Sequence, residues 1–410
     1  MRRFVVAGML AVMVMLCDGC NKPVAEIRQV EPLEPKDYGR PLPPGALALR
    51  KIDPDAYPDF GAGYYGQTGL REAIQHSLDY LAKPSSERYY PYGEISHRRA
   101  VASLERFLRL LDTAASPEAL NQAIRAEFDV YESVGCDGQG TVFFSGYYCP
   151  IFEGRAFRDE RFRYPLYGLP PDLVKDEEGR TLGQLTGDGS VDPRYPTRRE
   201  IEEGRLLDGL EVAWLSDPFE SYVITVQGSA KLRLGDGTLL ELGYAGNNGH
   251  EYTPVSQAMV RDGVIGRGDI SLQNLINYFR THREQVYHYC WANERYVFFK
   301  PAPGGPFGSL NTPVTPLRTI ATDKDVFPRG CLSFITTDIP TRYGSSIMQR
   351  PLRSFALDQD TGGAIRAAGR CDIFMGVGAE AEAVAGRTGA EGRLYYLFVR
   401  EAAADSRARK

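Results

Sequence analysis

Between Ser354 and Gly378 the chain reads SFALDQDTGGAIRAAGRCDIFMGVG, two β-rich runs separated by a Thr-Gly-Gly turn. Successive side chains of a strand point to opposite faces. In the second run this sends Cys371 and Ile373 to one face and Asp372 to the other, toward solvent or a cleft. In the first run Asp358 and Asp360 are two apart and share a face. Three acids this close have two readings. Either they are solvated groups on a sheet edge, or they are neighbours whose repulsion and partial burial raise a carboxyl pKa, as a general acid near neutral pH requires. The aspartates alone leave both open.

Outward from this stretch, similar runs recur: GTVFFSGYYCPIF, ESYVITVQGSAKLRL, TLLELGYAG, YVFFKP, CLSFITT and LYYLFVR. Each is short and bounded by Gly, Pro, Asn or Asp, which predicts strands of barrels or sandwiches. Gly235 to Thr238, GDGT, predicts a hairpin turn between two of them. Helices are expected in three places. In HRRAVASLERFLRLLD the apolar residues Val101, Leu104, Phe107, Leu108 and Leu111 recur at helical spacing, with Ser96 placed to cap. Ser116-Pro117-Glu118 has the cap, proline and early acid of a helix start. ISLQNLINYFRTHREQ interrupts the strands. The first two helices are expected to pack on a sheet.

Composition sets outer limits. A chain of 410 residues, 43% hydrophobic and 25% charged, is an ordinary folded protein long enough for two or three domains. A net charge of −5 provides no basic stripe and no reason to propose nucleic acid. Arg2 and Arg3 precede an apolar run from Phe4 to Leu16 that is too short to predict a spanning helix. The following LCDGC resembles a bacterial lipoprotein processing site, in which Cys20 would carry the lipid. An exported protein anchored at a membrane is expected, and Asn21 after the cysteine is compatible with an outer membrane facing the periplasm. Residues 1–20 are thus assigned to the signal and the Pro-rich residues 21–63 to a linker. The remaining cysteines, Cys136, Cys149, Cys290, Cys331 and Cys371, lack a CxxC spacing, so buried free thiols are expected rather than a zinc site.

Three familiar chemistries lack their residues. His282 and His288 are six apart, about 120° around a helix, and could not share an ion with Cys290. Gly376-VGAEA-Ala381 fits a dinucleotide fingerprint, but Gly386, Gly389 and Gly392 leave too little helix behind it. No GxSxG, HExxH or P-loop occurs.

Four segments, taken in order, resemble the membrane-bound lytic transglycosylases of the A type. They are FFSGYYCP (Phe143 to Pro150); VQGSAKLRLGDG with YAGNNGHEY (Val226 to Tyr252); YVFFKP (Tyr296 to Pro301); and ATDKDVFPRG through DTGGAIRAAGRCDIFMGVG and on to Gly386. The resemblance implies a mainly β fold with some helices: a double-psi β-barrel interrupted by a smaller inserted β-barrel, with a glycan groove between them. The main barrel would be residues 64–150 and 291–410, with a three-aspartate region at 321–400, and the insert residues 151–290. By position in the motif, Asp372 matches the family's catalytic acid/base, Asp360 and Asp323 its supporting aspartates, and Asp358 nothing. Tyr147, Gln227, Gly228, Tyr244, Ala245 and His250 resemble groove positions that would bind glycan.

The implied reaction explains why one acid suffices. A water-using glycosidase needs a second carboxylate; a lytic transglycosylase uses the substrate's own C6 hydroxyl, held close within the same sugar. Neither metal nor cofactor is expected. The expected partners are peptidoglycan strands, the membrane through its lipid anchor, and cell-wall synthesis or division proteins. Two rivals are a hydrolase with Asp358 or Asp360 as second carboxylate, and a non-catalytic wall-binding lipoprotein. The sequence departs from the family pattern at Ala230, where Gly is usual, at Cys331 (Thr), at Arg366-Ala367 (Lys-Gly), and at Glu382 (Gly).

Overall fold

The computed structural model describes residues 36–400, except 267, 268 and 345. The signal segment and Cys20 lie outside the described residues. From Asp37 onward the chain is one compact unit, mainly β with some helices.

Six strands close into a barrel. Gly389–Val399 pairs antiparallel with Leu332–Tyr343, which pairs antiparallel with Ser346–Asp360. Ser346–Asp360 runs parallel to Thr319–Ala321, itself antiparallel to Arg370–Val377. Arg370–Val377 runs parallel to Val142–Cys149, which returns antiparallel to the start of Gly389–Val399 and completes the circle. The alternation read from the sequence holds on the Asp372 strand, where Cys371 and Ile373 are fully buried. Phe144, Leu357 and Leu397 join them, and burying a side chain of this size stabilises by about 1.5–3 kcal/mol.

The helices cover the barrel as expected. His97–Thr113 is capped by Ser96, whose hydroxyl accepts from the Arg99 N–H at 3.1 Å. It buries Ala100, Leu104, Phe107 and Leu110 and is tied to Gly389–Val399 where the Val399 N–H donates to the Ser103 hydroxyl at 2.9 Å. Pro117–Glu127 starts at the Ser116 cap. Leu70–Leu81, not anticipated, lies where the Gln359 amide donates to the Ala73 carbonyl at 2.7 Å.

A second six-stranded sheet has the order Val297–Pro301, Leu239–Asn247, Ala230–Arg233, Ile151–Arg155, Glu211–Leu215, Tyr164–Tyr167. One bridge, Gly168 to Phe299, joins its two edges, so it too curls closed. The GDGT turn sits where predicted, between Arg233 and Leu239.

Three expectations need correction. The strand Val297–Pro301 belongs to this second sheet, so the sheet runs past the expected boundary at 290. Second, the first half of ESYVITVQGSAKLRL is a helix, Pro218–Gln227. Asp217 caps it by accepting from the Phe219 and Glu220 N–H groups at 2.8 and 3.3 Å, and Gly228 ends it at φ 77°. From Pro218 to Thr225 every residue but Glu220 is buried; a helix buried nearly all round shows no clear apolar stripe, and its β-branched residues imitate a strand. Third, residues 37–63 are not a spacer. Leu49–Lys51 adds a strand to the first sheet through Phe128–Ser133, Ala48, Tyr57 and Phe60 are buried, and Tyr38 packs on Phe143 with ring centroids 4.8 Å apart. The apolar residues between the prolines supply that docking.

Candidate active site

Strand register places the key carboxyls. Asp360 pairs with Ala321, Ala321 with Asp372, and Asp372 with Ser145. These four residues form a row across four strands, and paired residues share a face. Two strand spacings separate Asp360 from Asp372, about 10 Å between backbones.

Asp372 is the unsatisfied member of the row. Its Oδ1 is buried and has no hydrogen-bond partner among the described residues. Burial pushes its carboxyl up from the ordinary 3.8 to about 6; Arg370 and the Ser145 hydroxyl pull it back, while Asp360 pushes it further up. A buried oxygen with nothing to accept from favours the protonated form, which can donate. Arg370 lies two residues earlier on the same face. One of its terminal nitrogens donates to the Ser145 hydroxyl at 3.0 Å, and its Nε is buried without a partner.

The other aspartates are occupied. Asp360 accepts from the Tyr147 hydroxyl and from the N–H groups of Ser309 and Thr361, each at 2.8 Å. Burial still raises its pKa against those three donors. Asp323 is buried and holds the loop that leads into the Asp372 strand: its Oδ2 accepts from the Ala367 N–H at 2.7 Å and its Oδ1 from the Asp325 N–H at 3.1 Å. Asp358 is fully buried, paired with the Lys324 ammonium and accepting from the hydroxyls of Thr322 at 2.7 Å and Tyr396 at 2.6 Å.

Ala367 is one of the departures from the family pattern, and it sits at φ 63°. A side chain there crowds the following carbonyl, so the usual glycine is the unstrained choice. Glu382 accepts from the Tyr148 hydroxyl at 2.9 Å, giving a buried phenol its partner.

The expected groove residues come from both sheets and their connections, with mixed freedom. Tyr147 has its hydroxyl on Asp360 and its ring against Phe374 at 5.2 Å. Gln227 accepts from the Tyr148 N–H at 3.0 Å through its amide oxygen, and Gly228 has open space where a Cβ would be. Tyr244 is 44% exposed, its hydroxyl accepting from Asn247 at 2.5 Å. Ala245 falls at a register shift, its carbonyl taken by Lys175 at 2.7 Å. His250 is tied by Nε2 to the Tyr195 carbonyl at 2.7 Å.

Sequence reading missed Ser145, Arg370 and Arg295. The first two were within reach, because Ser145 is two residues from Tyr147 and Arg370 two from Asp372. Arg295 carried no signal; only the fold brings it beside the Gly362-Gly363 turn. The five cysteines from Cys136 onward are buried and form no disulfide among the described residues. Among the described residues no group of three His, Cys, Asp or Glu side chains could hold a metal ion. A cavity of about 240 Å³, lined by Tyr164, Trp214, Tyr287 and Glu202, is separate from all the residues of the row.

Comparison with known proteins follows the same division. The MltA specific insert domain matches residues 143–300 and the 3D domain residues 318–398. Together they define a class in which a three-aspartate barrel is combined with a specific inserted domain. The chain is 31% identical over 272 residues to the membrane-bound lytic murein transglycosylase A of Escherichia coli, covering 66% of this chain and 69% of that protein. The Vibrio cholerae protein of the same name is 30% identical over 267 residues, with coverage of 64% and 67%. The crystal structure of a membrane-bound lytic murein transglycosylase from Agrobacterium tumefaciens superposes with a TM-score of 0.73 at 28% identity, covering 88% of this chain and all of that one. E. coli MltA with bound chitohexaose gives 0.64 at 25% identity, covering 89% and 96%. This chain belongs to the membrane-bound lytic murein transglycosylase A family.

Proposed function

We propose that the chain cleaves the β-1,4 bond between N-acetylmuramic acid and N-acetylglucosamine in peptidoglycan, with Asp372 as acid and then base. The observation that carries this is the buried, unpartnered Asp372 Oδ1 on a carboxyl whose pKa is raised to about 6. Protonated Asp372 donates to the glycosidic oxygen as the C1–O bond breaks, and N-acetylglucosamine leaves as its alcohol. The resulting carboxylate then takes the proton of the muramic C6 hydroxyl while O6 bonds to C1, leaving a 1,6-anhydro end and restoring the acid. The intramolecular nucleophile supplies the proximity that water lacks.

The environment of the other carboxyls supports a single acid. Asp358 is consumed by Lys324, Thr322 and Tyr396. Asp360 already accepts three hydrogen bonds of the about four its oxygens can take. Asp360 and Asp323 shape the site instead, through Tyr147 and the 361–369 loop. Tyr147, Gln227, Gly228, Tyr244, Ala245 and His250 are read as lining a glycan groove, consistent with the chitohexaose bound to the E. coli relative. The relatives are named membrane-bound, and no helix among the described residues is long and apolar enough to cross a membrane; acylation of Cys20 would supply the anchor, at the outer membrane facing the periplasm.

The test is mass spectrometry of muropeptides released from purified peptidoglycan by the protein beginning after Cys20, beside Asp372→Asn. Anhydromuramic ends from the first and none from the second are expected. Reducing muramic ends would instead indicate a hydrolase, and no product from either would leave a wall-binding protein.

A further inference from the structure

Along the loop that leads into the Asp372 strand the structure places three arginines without a carboxylate partner among the described residues. Arg295, just ahead of the Val297–Pro301 strand, donates to the His250 carbonyl at 2.9 Å, and a Cβ on Gly363 would lie 3.0 Å from its Nε. Glycine at 363 therefore lets this guanidinium rest against the turn that precedes the Asp372 strand. Burial depresses the Arg295 pKa, and the nearby Arg366 charge adds to it; Tyr244 and Glu251 act in the opposite sense. Arg366 is exposed on the same loop. Arg370 follows, hydrogen-bonded to the Ser145 hydroxyl with its Nε buried and unpartnered.

None of these three arginines forms an ion pair among the described residues, and Glu251 is not within ion-pair reach of Arg295. Elsewhere, buried guanidinium groups are compensated. Arg99 pairs with Asp129 at 2.7 Å and Arg198 with Glu202 at 3.1 Å. Arg318, which lacks a carboxylate, is surrounded by acceptors: the carbonyls of Gly66, Thr68 and Phe355 and the Ser354 hydroxyl. Like charges held near one another and partly desolvated, as Arg295 is beside Arg366, are destabilising until an anion joins them. A guanidinium is also the side chain whose fork matches a carboxylate.

We propose that Arg295, Arg366 and Arg370 form a carboxylate subsite that distinguishes muramic-acid glycan from neutral N-acetylglucosamine polymers. The inference rests on the glycan-cleaving reading above and adds to it a recognition element. Muramic acid carries a lactyl group at O3 that glucosamine lacks. Its carboxylate is free on stripped glycan; on peptide-bearing glycan it is tied up in an amide, and the stem peptide offers carboxylates instead. Both sources present the same chemistry to the arginines.

Binding separates the sources, and using Asp372→Asn removes turnover from the question. Calorimetry would compare three ligands: a peptide-bearing muramic tetrasaccharide, the same tetrasaccharide stripped by an amidase, and chitohexaose. At least one muramic ligand should bind about tenfold tighter than chitohexaose at low salt, with the gap narrowing as salt rises. Adding Arg366→Gln, an exposed change, should remove most of that gap while leaving chitohexaose affinity alone. Arg295→Lys keeps a donor for the His250 carbonyl but loses the fork, and should act in the same direction. The ligand that loses affinity identifies the lactyl or the stem carboxylate. Equal affinity for all three ligands, or loss of chitohexaose binding with Arg366→Gln, would overturn the subsite while leaving the groove. No binding of any ligand would remove both.

Discussion

Replacing the candidate acid should stabilise the protein, and only above mildly acidic pH. Asp372 moves from an ordinary 3.8 to about 6 on folding, chiefly because its carboxyl is buried. Between those values the folded protein holds a proton that the unfolded chain has released. Stability therefore falls as pH rises through that window and stays low above it. At about 1.4 kcal/mol for each pH unit, ionised Asp372 costs the fold about 3 kcal/mol at neutral pH. Asparagine has nearly the same shape and cannot ionise. Asp372→Asn should thus gain stability relative to wild type between pH 4 and pH 7.5 by about 2–3 kcal/mol. For a chain of this size, with unfolding entropy of about 2 cal/mol/K per residue, that is about 3 °C in Tm. The measurement is thermal unfolding of both proteins at the two pH values. Comparison at pH 4, where both side chains are neutral in the fold, cancels whatever else the substitution changes, including the position of Arg370. A Tm difference that does not change with pH would mean that Asp372 titrates alike in folded and unfolded chains. The acid assigned to it would then lose its physical basis.

Three other outcomes follow from the same geometry. With Asp372 as the proposed acid, kcat/KM should decline as pH rises past about 6, and a Ser145→Ala variant should carry that limb upward, because a hydroxyl favouring the ionised form is gone; rates of muropeptide release across pH 4.5–8 check this. Ala367→Gly should stabilise by about 0.5–1 kcal/mol by relieving the left-handed backbone at φ 63°, read in urea unfolding, with a loss of stability refuting the strain. Tyr147→Phe takes one donor from half-buried Asp360 and should cost about 1–2 kcal/mol in urea unfolding. That cost should be larger with the carboxyl ionised than at acid pH, because the hydroxyl favours the ionised carboxylate.

The fold was legible wherever a strand has one buried and one open face. CDIF, TLLELGYAG and CLSFITT alternate or are apolar enough to be read directly, and the Ser96 and Ser116 caps mark their helices. Legibility failed where burial erased the pattern. Pro218–Gln227 is packed nearly all round, so its Asp217 cap, Pro218 and terminal Gly228 were the remaining signals, and its Val and Ile outweighed them. It also failed where composition stood in for packing: the prolines of residues 37–63 suggested a spacer, but Ala48, Tyr57 and Phe60 dock that segment on the barrel.

The three aspartates of the opening stretch show what spacing alone cannot decide. Asp358 and Asp360 are two apart, yet their roles differ because of residues far away in sequence. Lys324 and Tyr396 neutralise and satisfy Asp358, making it a structural anion. Tyr147 and two backbone N–H groups occupy Asp360. Asp372 is the one of the three that retains a buried oxygen without a partner. An unsatisfied buried acceptor lowers stability, and the fold carries that cost at the one carboxyl proposed to exchange a proton with a ligand. Arg295, Arg366 and Arg370 invert the same logic: charged donors with no carboxylate partner near an acceptor lacking a donor, yet Arg370 and Asp372 are not joined in an ion pair. Had the two closed on each other, the carboxyl would be held ionised and could not serve as an acid at neutral pH. Ser145 stands between these possibilities, taking a hydrogen bond from Arg370 while moderating Asp372. Withholding a direct ion pair therefore raises the share of Asp372 that stays protonated, as the proposed acid requires, and leaves the arginines without a carboxylate, as the proposed subsite requires.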